Sequence, residues 1–253
     1  MFYRGHASLE YMLLPSIMRK QNWLLHENDM YNELKINCVN DFAGCQTHLD
    51  YLVEMQHYGL PTRLLDVTKN PLVALYFACV SQKDSNGEII VFEIPKGELR
   101  YPGSDLVSII ASLPLMRYEK KKEVMTWILD STITDERFNK KAKALLHEIR
   151  LEKPAFKNKI RKEDVGRAAL VLSEKKNNRI VKQDGAFIIC GLFDENSNPV
   201  NELRYMKDGK RRIFVISYKA KDNILKQLDR FSINQATLFP EIEDVADYIK
   251  TKY

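Results

Sequence analysis

QHYGLPTRLLDVTKNPLVALYFA, residues 56–78, is the stretch whose reading decides this chain. Just before it, Leu49, Leu52, Val53 and Gln56 recur at helical spacing, and Gly59 and Pro61 stop that helix. Residues 57–71 then read as a loop. At its end Asn70 can cap a second helix, and Pro71 suits the first helical position, where a missing amide costs nothing. Leu72, Leu75, Tyr76 and Cys79 share one face of that helix. Leu72, Leu75, Tyr76 and Phe77 are expected to pack in the core and not to form a cofactor box.

Working outward, residues 1–4 read as a short strand and residues 31–36 as a helix. Residues 83–87 form a polar turn, and residues 88–94, rich in β-branched and aromatic side chains, form a strand closed by Pro95. Further strands are expected at 179–181, 186–190 and 212–217, with the turn-rich GLFDENSNP (191–199) between the last two. Helices over 222–231 and 242–250, separated by TLFP, finish the chain. Between these parts lies a different chemistry. Residues 117–164 hold fourteen Lys and Arg against nine Asp and Glu, so 14 − 9 = +5, as much as the net charge of the whole chain. They read as helices, with Val124, Trp127 and Ile128 on one face and Ala144, Leu145 and Ile149 on another. Because acids interleave with the bases, a solvated helical face is the favoured reading, with a nucleic-acid contact left open. The expected organisation is one domain over 1–253, with 105–175 a mainly helical charged insertion or lid.

Composition narrows the function classes. With 45% hydrophobic and 29% charged residues the chain has an ordinary globular balance. Its longest apolar runs, 72–80 and 89–92, fall short of the roughly 20 residues needed to cross a bilayer. No secretory leader opens it, so a cytoplasmic location and no membrane partner are expected. Cys79 and Cys190 sit in apolar runs, where free thiols behave as small hydrophobes. Cys38, Cys45 and His48 match no common zinc spacing and lack a fourth ligand, so no metal is expected.

Six blocks carry a family resemblance: Phe2-Tyr-Arg-Gly5, Leu14-Pro-Ser-Ile-Met-Arg19, Gln56-His-Tyr-Gly-Leu-Pro-Thr-Arg-Leu-Leu-Asp66, Asn70-Pro-Leu-Val-Ala-Leu-Tyr-Phe-Ala78, Gln183-Asp-Gly-Ala-Phe187 and Thr237-Leu-Phe-Pro240. In this order they resemble the FRG domain, named for its aromatic-Arg-Gly opening. No segment precedes that opening here, so either the gene starts there or upstream sequence is missing. The order of elements is also similar to that of ADP-ribosyltransferases, through Tyr3-Arg-Gly5, Leu65-Asp-Val-Thr68, the helix at 71–78, the strand at 89–94 and the strand expected at 183–189. This resemblance implies an α/β (α+β) fold with a mixed or split central sheet, a helical N-terminal part and a basic helical insertion. It implies NAD as substrate, with ADP-ribosyl transfer or NAD hydrolysis as the reaction. RNA, DNA or protein would be the acceptor, a bacterial toxin or anti-phage effector the setting, and an antitoxin or regulatory protein a further partner.

The chemistry such a site needs can be assigned to residues. A guanidinium meets a pyrophosphate with paired hydrogen bonds, which Arg4 could supply beside Gly5, whose missing side chain lets backbone approach closely. Breaking the nicotinamide–ribose bond develops positive charge on the sugar, so a carboxylate or amide at the 2′-hydroxyl orients and stabilises it. Gln183 or Asp184 lies in that region, and Asp66 and Thr68 could position the ribose. His57 and Tyr58 could line a nucleotide pocket or stack on a base, or else cap and pack a helix end. Arg63 could contact the nucleotide, or could pair with Asp66 to fix their loop. The family's Glu-x-Glu is replaced by Gln183 and Gly185, with Asp184 one residue out of register and therefore on the opposite strand face. That departure supports an alternative: a catalytically inactive module that binds a nucleotide, nucleic acid or protein in the same cleft.

Overall fold

The computed structural model describes residues 1–193 and 197–250. Its strands are β1 (Phe2–His6), β2 (Leu64–Thr68), β3 (Gly87–Phe92), β4 (Ala168–Val171), β5 (Gly185–Cys190), β6 (Met206–Lys207), β7 (Lys210–Arg211) and β8 (Phe214–Ile216). Its helices in the first half are α1 (Gln21–Leu25), α2 (Glu27–Asn37), α3 (His48–His57), α4 (Pro71–Cys79), α5 (Asp105–Ala111) and α6 (Tyr118–Leu129). Then follow α7 (Asp135–Lys141), α8 (Lys143–Glu152), α9 (Lys162–Gly166), α10 (Asn178–Lys182), α11 (Lys221–Arg230), α12 (Gln235–Leu238) and α13 (Ile242–Lys250).

The chain is α/β, built on a six-stranded sheet of order β4-β5-β2-β1-β3-β8, with β6 and β7 a separate hairpin. Every neighbouring pair is antiparallel, so the sheet is not mixed. It is split. β1 pairs with β3 along its whole length, but with β2 only at Tyr3 opposite Thr68.

One sheet face buries Leu64, Ala169, Val171, Phe187 and Ile189 against Leu49, Leu52 and Met55 of α3. The same cluster takes in Val107 and Ile110 of α5, Val124 of α6 and Leu145 and Ile149 of α8. The charged helical stretch therefore supplies the apolar cover of this face, with Trp127 and Ile128 half-buried against it. Ala144, expected on the apolar face, is exposed. The other sheet face packs Phe2, Leu65, Val67, Ile90, Phe92 and Ile188 against Leu13 and Val200.

Two expectations are overturned. The expected loop over 57–71 contains β2, which lies inside the sheet between β1 and β5. Because four of its five residues are buried, from both faces, its apolar pattern does not alternate and reads as a loop between helices. The expected strand at 179–181 is helix α10: the Asn177 side chain accepts from Arg179 N at 2.7 Å and starts a helical turn. The turn-rich stretch at 191–199 includes 194–196, outside the described residues.

Helix α4 lies on β1 with backbone touching backbone. A Cβ at Gly5 would stand 2.0 Å from Ala74 O, and one at Gly87 2.4 Å from Ala78 O. The Asn70 side chain accepts from Leu72 N at 2.9 Å and Pro71 holds the first position, as expected. Leu72, by contrast, is exposed at that first turn, and the buried face is Val73, Ala74, Tyr76, Ala78 and Cys79. Beyond α4's end, fully buried Lys221 donates to Ala7 O at 2.7 Å, Gln82 O at 2.8 Å and Ser81 O at 3.1 Å. Burial lowers its pKa, and the three carbonyls replace its water shell.

Arg63 is also fully buried. Its Nη2 donates to Glu27 Oε2 at 2.7 Å and its Nη1 to Gly191 O at 3.0 Å, while Lys121 Nζ reaches the same Glu27 oxygen at 2.5 Å. This triad ties α2, the entry to β2 and α6 together. Burial by itself would raise the Glu27 pKa, but Arg63 and Lys121 together hold it below the ordinary carboxylate value. The carboxylate therefore stabilises the fold above its unfolded pKa, and that stability is lost as pH falls through the lowered folded value. Glu27→Ala, which leaves two buried cations uncompensated, is expected to destabilise by about 3–5 kcal/mol in urea unfolding at neutral pH.

Candidate functional site

Asp66 is the one exposed residue of β2, its side chain 65% accessible between buried Leu65 and Val67. Its orientation is fixed. Gln56 Nε2, at the end of α3, donates to Asp66 Oδ1 at 2.8 Å. The Gln56 amide is itself oriented by Thr62, whose hydroxyl accepts from Leu64 N at 3.1 Å and donates to Gln56 Oε1. Thr62 N in turn donates to Ser16 Oγ at 3.1 Å. A strand, a helix end and two loops thus hold one carboxylate at the surface.

Arg4 bridges the split between β1 and β2. Its Nη1 donates to Asp66 O at 2.6 Å and lies 3.9 Å from Asp66 Oδ2. Its Nε donates to His6 Nε2 at 3.1 Å, and Nη2 has no hydrogen-bond partner among the described residues. Burial pushes the Arg4 pKa down to about 10, against the pull of Asp66 and aided by Arg19, so the group is charged at neutral pH. Because His6 Nε2 accepts, its ring proton belongs on Nδ1, which faces Glu88 Oε1 at 3.5 Å. Glu88 Oε2 stands 3.8 Å from Arg204. Burial first, then the Arg4 charge, lowers the His6 pKa.

The remaining sequence-derived residues divide in two. Thr68 Oγ1 donates to Gln183 O at 2.6 Å and accepts from Asn70 N at 2.9 Å, so its hydroxyl joins β2 to the segment before β5. Gln183 ends α10 and is not on a strand, and Asp184 has φ +43, so their expected alternation on β5 does not hold. Gln183 Nε2 donates to Leu238 O at 3.0 Å. His57 Nε2 lies 4.0 Å from Glu241 Oε1, and its ring meets that of exposed Tyr58 at a tilt of 58°, with the centroids 4.9 Å apart. Arg63 pairs with Glu27 inside the protein, in place of the alternative ion pair with Asp66. The close approach that Gly5 permits is to α4, which fills the space beside it.

The six motif blocks are consequently one network. Arg4 joins the first to the third, Ser16 the second to the third, strand pairing of Asp66 with Phe187 the third to the fifth, and Thr68, between blocks, links Asn70 of the fourth to Gln183 of the fifth. Gln183 joins the fifth to the sixth, and Phe77 of the fourth meets Phe239 of the sixth edge to face at 6.0 Å. Sequence reasoning missed Gln56, Glu241 and His6 as site members. Gln56 carried a signal: it is the polar residue that closes the apolar stripe of Leu49, Leu52 and Val53.

His6 gives this site a pH signature. Its folded pKa lies below the ordinary 6.5, so as pH falls the unfolded chain takes up the proton first. Stability from neutral His6 is full above about 6.5 and declines below it. The drop in melting temperature from pH 7.5 to 5.5 is expected to be smaller in His6→Asn than in the wild type.

No helix among the described residues is long and apolar enough to cross a membrane. No curated protein and no solved structure matches the chain. The family model of the FRG domain matches residues 1–87, about a third of the sequence, and so supports the FRG family for the segment that carries β1, α3, β2 and α4.

Proposed function

We propose that the surface around Asp66 and Arg4 binds NAD and that the chain breaks its nicotinamide–ribose bond, passing ADP-ribose to water or to an RNA, DNA or protein acceptor. One observation carries this reading: an exposed carboxylate on an inner strand, held by Gln56 and flanked by the charged Arg4. In the reaction Asp66 accepts the ribose 2′-hydroxyl and opposes the positive charge that grows on the sugar as nicotinamide leaves. Arg4 meets the pyrophosphate through Nη2, with Arg19 adding positive potential. Tyr58 and His57 offer a ring surface to a base. Thr68 and Gln183, whose polar groups are engaged with each other and with Leu238, position β2 and the segment before β5 beside the carboxylate. A cytoplasmic bacterial toxin or anti-phage effector, restrained by an antitoxin or regulatory protein, is the setting this chemistry suits.

A second reading has its own support. Gln183 and Gly185 stand where the resemblance to ADP-ribosyltransferases would put two glutamates, and the Gln183 amide is engaged by Leu238 O. That arrangement suits a pocket that binds without turnover.

Nicotinamide release from NAD by the purified chain separates the two, measured with and without RNA, DNA and lysate as acceptor. On the first reading Asp66→Asn lowers release by about 10²–10³-fold, the range for loss of one charge-stabilising group, at unchanged melting temperature. A thermal shift with NAD but no release in any condition supports the binding module. Neither shift nor release overturns both.

A further inference from the structure

The outer edge of the sheet is interrupted. Residues 203–205 run along one half of β3, with Tyr205 N donating to Val91 O at 2.8 Å, and β8 pairs with the other half through Phe214 opposite Ile89. Between them the chain leaves the sheet as the hairpin β6–β7. Its turn has positive φ at two successive residues, Asp208 at +54 and Gly209 at +70, the geometry of a tight two-residue hairpin loop. Two residue pairs of ladder are too few to make such a hairpin worthwhile for packing, and no side chain from Met206 to Val215 is buried.

Its charge is just as isolated. Residues 206–219 hold Lys207, Lys210, Arg211, Arg212 and Lys219 against Asp208, which is 5 − 1 = +4. Arg212 faces Asp208 at 3.4 Å, but Lys207, Lys210 and Arg211 have no acidic partner among the described residues. In the longer basic stretch at 117–164 nine acids are interleaved with the bases and part of the charge is paired: Lys120 with Glu123, Lys140 with Glu136, Arg161 with Asp164, and Lys121 is buried on Glu27. Two exposed aromatic rings follow the hairpin in the chain: Phe214, which opens β8, at 48% exposure, and Tyr218, just past its end, at 42%, with Lys219 Nζ 5.8 Å from the Tyr218 ring centroid.

Unpaired cations on a hairpin, with exposed rings at the two ends of the strand that follows it, match what a single-stranded nucleic acid requires: phosphates need cations, and unstacked bases need ring faces. We propose that the β6–β7 hairpin and the exposed side of 214–218 form a binding surface for single-stranded nucleic acid. Lys207, Lys210 and Arg211 contact the phosphate backbone, and Phe214 and Tyr218 stack on bases. The surface shares no residue with the Asp66 site.

Fluorescence anisotropy of the full chain with a labelled single-stranded RNA of about 20 nucleotides, titrated over a series of salt concentrations, tests this. The triple variant Lys207→Ser, Lys210→Ser, Arg211→Ser is expected to bind more weakly, with the slope of log affinity against log salt reduced by about 2 (three contacts at roughly 0.7 each). Phe214→Ala should weaken binding about fivefold or more and leave that slope unchanged, because stacking releases no counterions. Lys140→Ser, on the paired helical stretch, should bind as the wild type does. All these side chains are exposed, so melting temperatures should not move. Absence of binding at low salt, equal slopes for wild type and triple variant, or tighter binding to duplex or to anionic lipid vesicles than to single strand would each overturn the proposal.

Discussion

The contact on which the architecture turns is that of α4 with β1 and β3, where helix carbonyls lie against strand backbone at Gly5 and Gly87. No side chain separates the two layers there, so the register of α4 on the sheet is fixed to within a methyl group. Asn70 and Pro71 set where the helix starts, and β2 must end immediately before them. With α4 over β1 and β3, and α3 packed into the core beside Leu64, Asp66 of β2 is left uncovered. The split between β1 and β2 opens at the same place, and the Arg4 guanidinium occupies it in lieu of ladder hydrogen bonds.

The two arginines of the matched segment illustrate how unlike fates follow from similar motifs. Arg4 keeps one amino group without a hydrogen-bond partner among the described residues and a carboxylate at its side. Arg63, only three residues from Asp66 in sequence, points into the interior and answers to Glu27. The difference is one of surroundings: Arg63 leaves the chain just before β2, where Glu27 of α2 and Gly191 O receive it, whereas Arg4 lies at the split between β1 and β2.

What the sequence made legible follows from how local each signal is. Helices α3 and α4 were readable because their caps, stops and apolar spacing lie within a dozen residues. Strands β3 and β5 were readable from β-branched runs bounded by turn residues. The strand β2 was not, since Leu64, Leu65 and Val67 are buried from both sides and Asp66 interrupts the run with an exposed polar group. Residues 179–181 misled because Arg-Ile-Val favours a strand locally, while the Asn177 cap and the packing of α10 against the sheet decide otherwise. At the site, Asp66 and Arg4 stood out through side-chain chemistry within motifs. The acceptors that assemble the network, Asp66 O, Gln183 O and Leu238 O, are main-chain atoms that every residue type possesses, and a sequence cannot mark them.

The position of β2 also bears on what the matched N-terminal third amounts to. Residues 1–87 hold most of the motif residues but stop where β3 begins, and β2 needs β5, from 185–190, as its other neighbour. Glu27 and Arg63 need Lys121, and the carbonyl of Ala7 needs Lys221. Severed from the rest, this piece would carry an open strand edge, an imbalanced interior charge and half a core, a combination that invites aggregation. The recognisable signature and the cooperative folding unit are thus different objects: the first is a third of the chain, and the second draws on segments that extend at least to residue 221.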